Sequence, residues 1–272
     1  MKFLPAMIVG ILFLAAWEGL VRLLQVPLFL LPPPSLIAAS LAEDFPSLFD
    51  SLLFTLQITL GAFALASLGG IALAILFAHS RPIERAFMPY AVALQVTPVV
   101  AIAPLVILWV GLDNAWAALF ILATLVAFFP VLSATLLGFR SVDGGLRNLF
   151  RLYGATPWQI FLRLELPSAL PYMLAGMKVA GGLALIGAIV AEFVAGSGSA
   201  TGLAWRIVEA GNRLNMPRMF AALALLSAAG IGLHWVLSAI ERALLRHWHE
   251  SQVEREPPSP RPSPARGEGV RG

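Results

Sequence analysis

The chain has 272 residues, of which 59% are hydrophobic and only 12% are charged, whereas a soluble domain usually carries about 25% charged residues. Because a water-soluble fold of this length cannot bury so much apolar surface, the composition favours a membrane protein built from spans of about 20 residues. The absence of cysteine excludes disulfides and thiolate metal sites, and the net charge of +3 lies mainly in short loops and the tail, where it is a topology signal and not a nucleic-acid surface.

The chain predicts an all-α fold with six membrane-spanning helices. The first runs from Phe3 to about Leu24 and contains Glu18 and Arg22, which lie on one helix face and can pair. One lysine followed by an apolar run also resembles a signal peptide. No small-residue cleavage site precedes Glu18, however, so we expect the first helix to stay uncleaved.

A connector follows the first helix. Its triple proline, Pro32 to Pro34, cannot continue a helix and favours an extended chain. The next residues predict a short interfacial helix around Ser35–Glu43.

The other five spans follow in order. Four of them contain no Asp, Glu, Lys or Arg over a length sufficient to cross a hydrocarbon core of about 30 Å. The remaining one, the fifth span, runs from about Ala169 to Ala195 and contains Lys178 and Glu192, which are too far apart along a helix to pair. We expect Lys178 to reach the cytoplasmic edge and Glu192 to lie at the opposite interface. The four uncharged segments are Ser51–Ala78, Ala86–Leu112, Ala115–Phe139 and Met219–Ile240.

Basic residues predict the orientation. Six spans place both termini on one side, which we assign to the cytoplasm, because the cytoplasmic segments then hold nine lysines and arginines before the tail, against four arginines outside. The nine are Lys2, Arg81, Arg85, Arg140, Arg147, Arg151, Arg163, Arg242 and Arg246, and the four are Arg22, Arg206, Arg213 and Arg218.

We therefore expect two regions in the chain. Residues 1–250 form the six-helix transmembrane domain. Residues 251–272 form a disordered tail rich in proline, arginine and glycine, because this composition has too few large apolar residues to build a core.

The sequence contains no motif for catalysis. Lys2 and Lys178 are the only lysines, and neither lies in a P-loop that would hold ATP. The four histidines form no metal-ligand pattern with carboxylates, and neither a nucleophile elbow nor a His-Glu-x-x-His motif is present. We therefore predict no catalytic residue, no metal site and no cofactor held by this chain.

The longest predicted cytoplasmic connection covers about residues 140–168 and contains helix signals of its own. Asp143 can N-cap a helix over Gly144–Leu152. Gly154 lies where a glycine in the left-handed conformation would end that helix. The connection is therefore predicted to begin with a short helix followed by a glycine turn.

A second helix is predicted directly after that turn. Thr156 is an N-cap residue, and Gln159 three residues later completes a capping box. Pro157 takes the first helical position, where proline is favoured. We expect this helix to cover Pro157–Glu165 and to end before Pro167.

The two loop helices carry many apolar and aromatic side chains. Such a surface at a membrane edge favours a protein partner, and it equally favours an amphipathic pair lying on lipid headgroups. The residues by themselves leave both alternatives open. The side chains expected to be exposed are Leu149, Phe150, Tyr153, Trp158, Ile160 and Phe161, beside Arg147, Arg151 and Arg163.

The loop resembles the cytoplasmic "EAA" signature of binding-protein-dependent ABC importer permeases, in which a glycine is followed after nine residues by Ile-x-Leu-Pro. Here Gly154 is followed after nine residues by Leu164-Glu165-Leu166-Pro167, with leucine in place of the isoleucine. The acidic-Ala-Ala triplet of the signature would fall at Asn148-Leu149-Phe150 and is missing.

Further segments resemble the nitrate, sulfonate and taurine branch of this family, and the resemblance extends over roughly residues 5–248. Relatives in this group also handle vitamin precursors, so the resemblance implies a small solute without naming it. Its selection would rest largely with a separate binding protein. The matching segments are Gly154–Phe161, Leu166–Pro171, Ala188–Phe193, Pro98–Leu105 and Leu108–Gly111.

The resemblance implies a type I ABC importer permease in a bacterial inner membrane, multi-pass, with both termini cytoplasmic. The partners it implies are a second permease copy, two ATP-binding subunits and a periplasmic or lipid-anchored solute-binding protein. ATP would be bound by the ATPase partner, and the loop would dock on that partner and transmit its closure. The coupling residues it implies are Arg151, Gly154, Ala155, Leu164, Leu166 and Pro167.

Polar residues inside the spans are candidates for the translocation path, because polar groups in the bilayer usually face protein or water. Gln95 and Thr97 lie beside Pro98 in the third span, and Gln57 lies in the second. Prolines free backbone carbonyls, which are tolerated where they line a cavity. The alternative role for these side chains is a hydrogen bond between helices.

The residues by themselves leave two other classes of function open. A secondary transporter or channel would need carboxylates deep in the bundle, whereas Glu18 and Glu192 are both expected near span ends. A membrane-embedded enzyme would need paired carboxylates or histidine clusters in the spans, and the sequence has none. Dependence on an ATPase partner would separate both classes from an importer permease.

Overall fold

A computed structural model describes residues 4–195 and 201–245, and within these ranges the regular structure is entirely helical, which confirms the predicted all-α class. The predicted tail over residues 251–272 lies outside the described residues. The helices are α1 (Leu4–Leu23), α2 (Pro34–Glu43), α3 (Phe45–His79), α4 (Arg81–Val96), α5 (Val99–Val110), α6 (Ala115–Arg140), α7 (Gly144–Leu152), α8 (Pro157–Ile160), α9 (Leu166–Ala195), α10 (Leu203–Asn212) and α11 (Met216–Leu245).

The centre of the molecule is formed by α3, α6 and α9, which pack along one another. Their contact faces carry small side chains, and Ala66, Ala127 and Ala180 are fully buried in one cluster. A Cβ at Gly176 would lie only 2.6 Å from the Cβ of Ala134, so glycine is needed there. Small residues let the helices approach closely, which is how bundles pack in lipid without a hydrophobic driving force between helices.

The structure contains most of the predicted spans. Within the described residues, α3, α6, the continuous helix Pro157–Ala195 and α11 are long and apolar enough to cross a membrane, and α4 with α5 would make a fifth span. Helix α1 has 20 residues, which matches a hydrocarbon core of about 30 Å. Its role as a sixth span stays a prediction.

The third predicted span, Ala86–Leu112, is not one straight helix. Helices α4 and α5 meet at a bend of 102°. Pro98 has no N–H to continue the helix, and it forces the preceding residue, Thr97, into an extended conformation with ψ of 123°. The prediction of a continuous helix was therefore wrong at Thr97 and Pro98, which separate α4 from α5.

The second loop helix also differs from the prediction, because it does not end before Pro167. The chain continues as one helix through a π-helical turn, Phe161–Glu165, into α9. The N–H of Leu166 donates to the carbonyl of Phe161, five residues earlier. This wider turn keeps the chain helical where the missing N–H of Pro167 interrupts the α-helical bonds.

The first helix is tied to the connector that follows it. Glu18 and Arg22 form the predicted pair, with 2.6 Å between the carboxylate and Nε. Ser35 donates to the same carboxylate from its N–H at 3.0 Å and from its hydroxyl at 2.8 Å. Ser35 lies in the first turn of α2, so the predicted short helix is confirmed and its start is held against α1.

Candidate functional site

We call the end of the bundle that holds residues 141–165 the loop end, and the opposite end, which holds α10, the α10 end. At the loop end, α7 begins where the carboxylate of Asp143 accepts from the N–H of Leu146 at 3.0 Å. Asp143 is thus the predicted N-cap and satisfies one of the free donors of the first turn.

The turn after α7 has the predicted glycine conformation. Gly154 has φ of +72°, its N–H donates to the carbonyl of Arg151, and the N–H of Ala155 donates to the carbonyl of Phe150, both at 3.0 Å. These two bonds form a Schellman motif. A side chain with a Cβ would be strained at this φ.

The predicted capping box closes the turn. The hydroxyl of Thr156 accepts from the N–H of Gln159 at 3.3 Å, and the side chain of Gln159 accepts from the N–H of Thr156 at 2.8 Å. The Asp143 cap and the Thr156 capping box each join residues only three positions apart. The angle between α7 and the helix that starts at Pro157 is therefore set by local hydrogen bonds.

The six predicted coupling residues all lie on this loop or at its exit, but in different environments. Arg151 and Gly154 are exposed, whereas Leu164 is buried against the bundle. Leu166 and Pro167 are half-buried at the start of α9, and Ala155 is half-buried in the turn.

The exposed apolar surface predicted for the loop is present in part, since Phe150 and Phe161 are half-buried and not exposed. Tyr153 is 84% exposed and Trp158 is 66% exposed, and Leu149 is also exposed. Ile160, in contrast, is only 6% exposed, because its position in the first turn after Thr156 faces the bundle. The loop thus presents two large aromatic rings to its surroundings.

A cavity of about 790 Å³ lies between the loop and the ends of α3, α4 and α6. Its lining includes five arginines, two glutamates and one histidine. These side chains are Arg81, Arg85, Arg140, Arg147, Arg151, Glu84, Glu165 and His79.

Both carboxylates of this cavity are already paired. Glu84 pairs with Arg140. Glu165 accepts from Arg147 at 2.9 Å and lies 3.3 Å from His79. The ion pair between Arg147 and Glu165 therefore joins the two helical parts of the loop, Glu165 also lies beside the ring of His79 at the end of α3, and the pair of Glu84 and Arg140 joins α4 to α6. The residues alone did not indicate these pairs, because the partners are far apart in sequence.

The predicted path residues do not line this cavity. Gln57 on α3 and Gln95 on α4 are exposed on the single chain. Thr97 is half-buried, and its hydroxyl donates to the carbonyl of Ala93 at 2.7 Å. Of the two predicted alternatives, the interhelical hydrogen bond is not formed by Thr97, since Ala93 lies on the same helix.

Lys178 has a partner that the sequence did not indicate. Its ammonium group donates to the carboxylate of Glu241 on α11 at 2.9 Å. This pair links α9 to α11 and satisfies a charge inside the predicted spans. The expected position of Lys178 at the cytoplasmic edge stays a prediction.

Glu192 is fully buried at the α10 end, in the last turn of α9, so its carboxylate faces protein. Its place at the membrane interface stays a prediction. Its carboxylate accepts from the hydroxyl of Thr55 at 2.7 Å and from the N–H of Ala204 at 2.9 Å. Thr55 in turn accepts from the N–H of Leu203 at 2.9 Å. The pair Glu192 and Thr55 thus caps the start of α10 with side chains from α9 and α3.

Gly202 makes this contact possible. A Cβ built on Gly202 would lie 2.1 to 2.2 Å from the carboxylate of Glu192. The backbone of α10 can approach the acid this closely because residue 202 has no side chain. A carboxylate in a predicted span, followed closely by glycines, was the one sequence signal for this cluster.

The outer surface of α10 carries a second polar network. Arg206 donates to the hydroxyl of Ser51 on α3 at 3.0 Å and to Glu209 at 2.9 Å. Arg213 also pairs with Glu209 at 2.9 Å. The hydrogen bond from Arg206 lowers the pKa of the Glu209 carboxyl, with smaller contributions from the charges around it.

The fold and these two ends define a class of protein. It is a multi-span helical transport component with a capped helical loop at one end, and its described residues contain no group of ligands for a metal. Residues 66–246 match the family described as "Binding-protein-dependent transport system inner membrane component". The chain belongs to this family, which confirms the resemblance drawn from the loop.

Relatives cover nearly the whole chain. The riboflavin transport system permease protein RibX of Chloroflexus aurantiacus is 36% identical over 242 residues, 88% of each chain. The permease named for aliphatic sulfonate transport in Bacillus subtilis, SsuC, is 31% identical over 250 residues, 91% of this chain and 87% of that one. The predicted sulfonate-like branch is confirmed by these matches.

A solved structure shows the same fold. The MetNI methionine ABC transporter, in an inward-facing conformation, has a chain that superposes with a TM-score of 0.64 at 20% identity, covering 74% of this chain and 98% of that chain. The protein is thus an inner-membrane permease of a bacterial binding-protein-dependent ABC importer. Importers of this kind work with ATPase and solute-binding partners, and the family is one of transport components and not of enzymes.

Proposed function

We propose that this chain pairs with a second copy of itself and forms the translocation path of the importer, with ATP hydrolysis supplied by two separate ATP-binding subunits. A periplasmic or lipid-anchored binding protein delivers the solute at the α10 end. Both termini and the loop end lie in the cytoplasm, as the excess of arginine there favours.

The observation that carries this proposal is the construction of the loop. Local caps at Asp143, Gly154 and Thr156 hold its shape, while Tyr153 and Trp158 are left without cover. A surface with a fixed shape, exposed aromatic rings and arginine is typical of a protein interface. The lipid-headgroup alternative requires no such fixed turn.

The loop also has a route by which movement can reach the spans. It continues without interruption into α9, through the π-helical turn and Pro167. Closure of the two ATPase subunits would therefore shift α9 as a rigid body, together with α3 and α6 packed on it. Gln57, Gln95 and Thr97, exposed or half-buried on the single chain, would line the path between the two copies.

The solute is proposed from the relatives. Their names cite riboflavin and aliphatic sulfonates, so we propose a small solute of the sulfonate, nitrate or taurine type or of the vitamin-precursor type. Selection between these rests with the binding protein.

The proposal is tested by Gly154→Val in the complex purified from its native host. Valine at φ of +72° is strained by about 1 to 2 kcal/mol, so the turn should change shape. We expect normal abundance in the membrane and loss of ATP hydrolysis coupled to transport. Solute-stimulated hydrolysis at the wild-type rate in this variant would contradict the proposal.

Gly144→Val is the matched control. Gly144 is exposed at the first position of α7, and a Cβ there meets nothing within 4 Å. Because the added side chain is accommodated in open space, this variant should couple hydrolysis to transport as the wild type does.

A further inference from the structure

The cavity at the loop end holds more positive charge than its own acids can neutralise. Five arginines line it against two glutamates, and both glutamates are engaged by Arg140 and Arg147. Arg81, Arg85 and Arg151 form no ion pair with any carboxylate of residues 4–195 and 201–245. Three guanidinium groups from two different elements thus face one cavity with no acid to pair them.

One donor in this cavity is also unsatisfied. The Nε of Arg147 is buried and has no hydrogen-bond acceptor within the described residues. A buried donor without an acceptor costs about 1 to 3 kcal/mol, so a further acceptor entering the cavity would be favoured. Carboxylates suit this role, because they accept two parallel hydrogen bonds from an arginine fork.

We propose that the coupling contact of this permease is basic, and that it receives an acidic segment of the ATPase subunit in this cavity. This inference rests on the proposed function. The carboxylates of that segment pair with Arg151 on α7 and with Arg81 and Arg85 at the start of α4. The same segment covers the exposed rings of Tyr153 and Trp158, which we call the aromatic rim of the loop.

The composition of the rim favours a protein over a lipid headgroup. Tyr153 and Trp158 are exposed on the same loop as Arg151, and tyrosine, tryptophan and arginine are the residues enriched at the centres of protein interfaces. Helix α7 contains two arginines and no carboxylate, and the acid that the loop places in the cavity, Glu165, is already paired with Arg147. An acidic partner segment would also link α4 to α7, so that it would hold both sides of the cavity while the two ATPase subunits close.

The test uses charge reversal in the full complex with its native ATPase. Arg151→Glu and Arg85→Glu should each lower the amount of ATPase retained on the purified permease about tenfold or more, since reversed charges repel across a contact. Arg151→Lys should retain most of it. Retention by the wild type should fall as NaCl is raised, because salt screens exposed pairs.

The control is Arg163→Glu. Arg163 is exposed on the same loop but does not line the cavity, so this variant should retain ATPase like the wild type. If an acidic residue of the ATPase is changed to arginine and the ATPase then binds the Arg151→Glu permease again, that residue is the partner carboxylate. Size-exclusion profiles check that each variant is folded.

The alternatives give different results. If ATPase stays bound to Arg151→Glu and Arg85→Glu at every salt concentration, the basic contact is wrong while the proposed function stands. If those variants instead lose co-purified anionic phospholipid and keep the ATPase, the cavity holds lipid headgroups and the inference is overturned. If the wild type carries no ATPase at all, the proposed function and the inference fail together.

Discussion

The two ends of the bundle solve the same problem of charge near a membrane in opposite ways. At the α10 end, Glu192 is fully buried and each of its oxygens accepts a hydrogen bond. At the loop end, arginines outnumber acids around an open cavity and aromatic rings are exposed. The first arrangement is complete within one chain, whereas the second leaves Arg81, Arg85 and Arg151 without an acid among the described residues. The difference indicates that the buried polar cluster at the α10 end holds the fold together, and it supports our proposal that the loop end binds a partner.

The largest expected effect is on the buried acid. Glu192→Ala leaves a cavity and removes the acceptor for Ala204 and the partner of Thr55, so we expect a loss of about 4 kcal/mol of stability and a large fall in Tm in detergent. Glu192→Gln keeps the volume and one acceptor and should lose roughly half as much. Equal Tm values for wild type and Glu192→Ala would remove the distinction between the two ends.

The close approach at Gly202 gives the next largest effect. Gly202→Ala places a Cβ about 2.1 Å from the Glu192 carboxylate, so α10 must move away, at a cost of about 3 kcal/mol. Gly182→Ala is the matched control, because a Cβ there meets nothing within 4 Å and alanine favours the helix. Thermal unfolding of both variants checks the prediction, and a Gly202→Ala protein as stable as Gly182→Ala would contradict it.

A smaller effect on stability is expected when the pH is lowered. The hydrogen bond from Arg206 lowers the pKa of Glu209 below its ordinary value of 4.5. The stabilisation is therefore fully present above pH 4.5 and is lost as the pH falls through the lower pKa of the folded state. The Tm of the wild type should drop on acidification in this window more than that of Glu209→Gln, and parallel curves would argue against the network.

The smallest effect on stability is expected at the loop end. Tyr153→Ala removes a ring that is 84% exposed, so the change in stability should stay within about 0.5 kcal/mol. The amount of ATPase retained should nevertheless fall, because exposed aromatic anchors contribute most to binding. If Tyr153→Ala lowers the Tm and still retains the ATPase, the loop end contributes to stability and not to binding, which is the opposite of our interpretation.

The local features of the loop could be predicted from its sequence. The Asp143 cap, the left-handed Gly154 and the Thr156 box join residues a few positions apart, so residue type and spacing suffice to specify them. The π-helical turn before Pro167 was missed, because proline by itself predicts a helix end. Packing of α9 against α6 favours a continuous helix there instead.

The sequence by itself determined the class of the protein: the apolar spans, the proline connector, the shape of the loop and its family resemblance. The pair of Glu18 and Arg22, four residues apart, was also predicted, but only the tertiary structure decided which polar groups distant in the sequence meet. The partners Glu192 and Thr55 are 137 positions apart and Lys178 and Glu241 are 63 apart, so no local pattern predicts that they pair. In lipid a buried charge is retained only where folding brings a donor or acceptor to it, and that depends on the packing of whole helices.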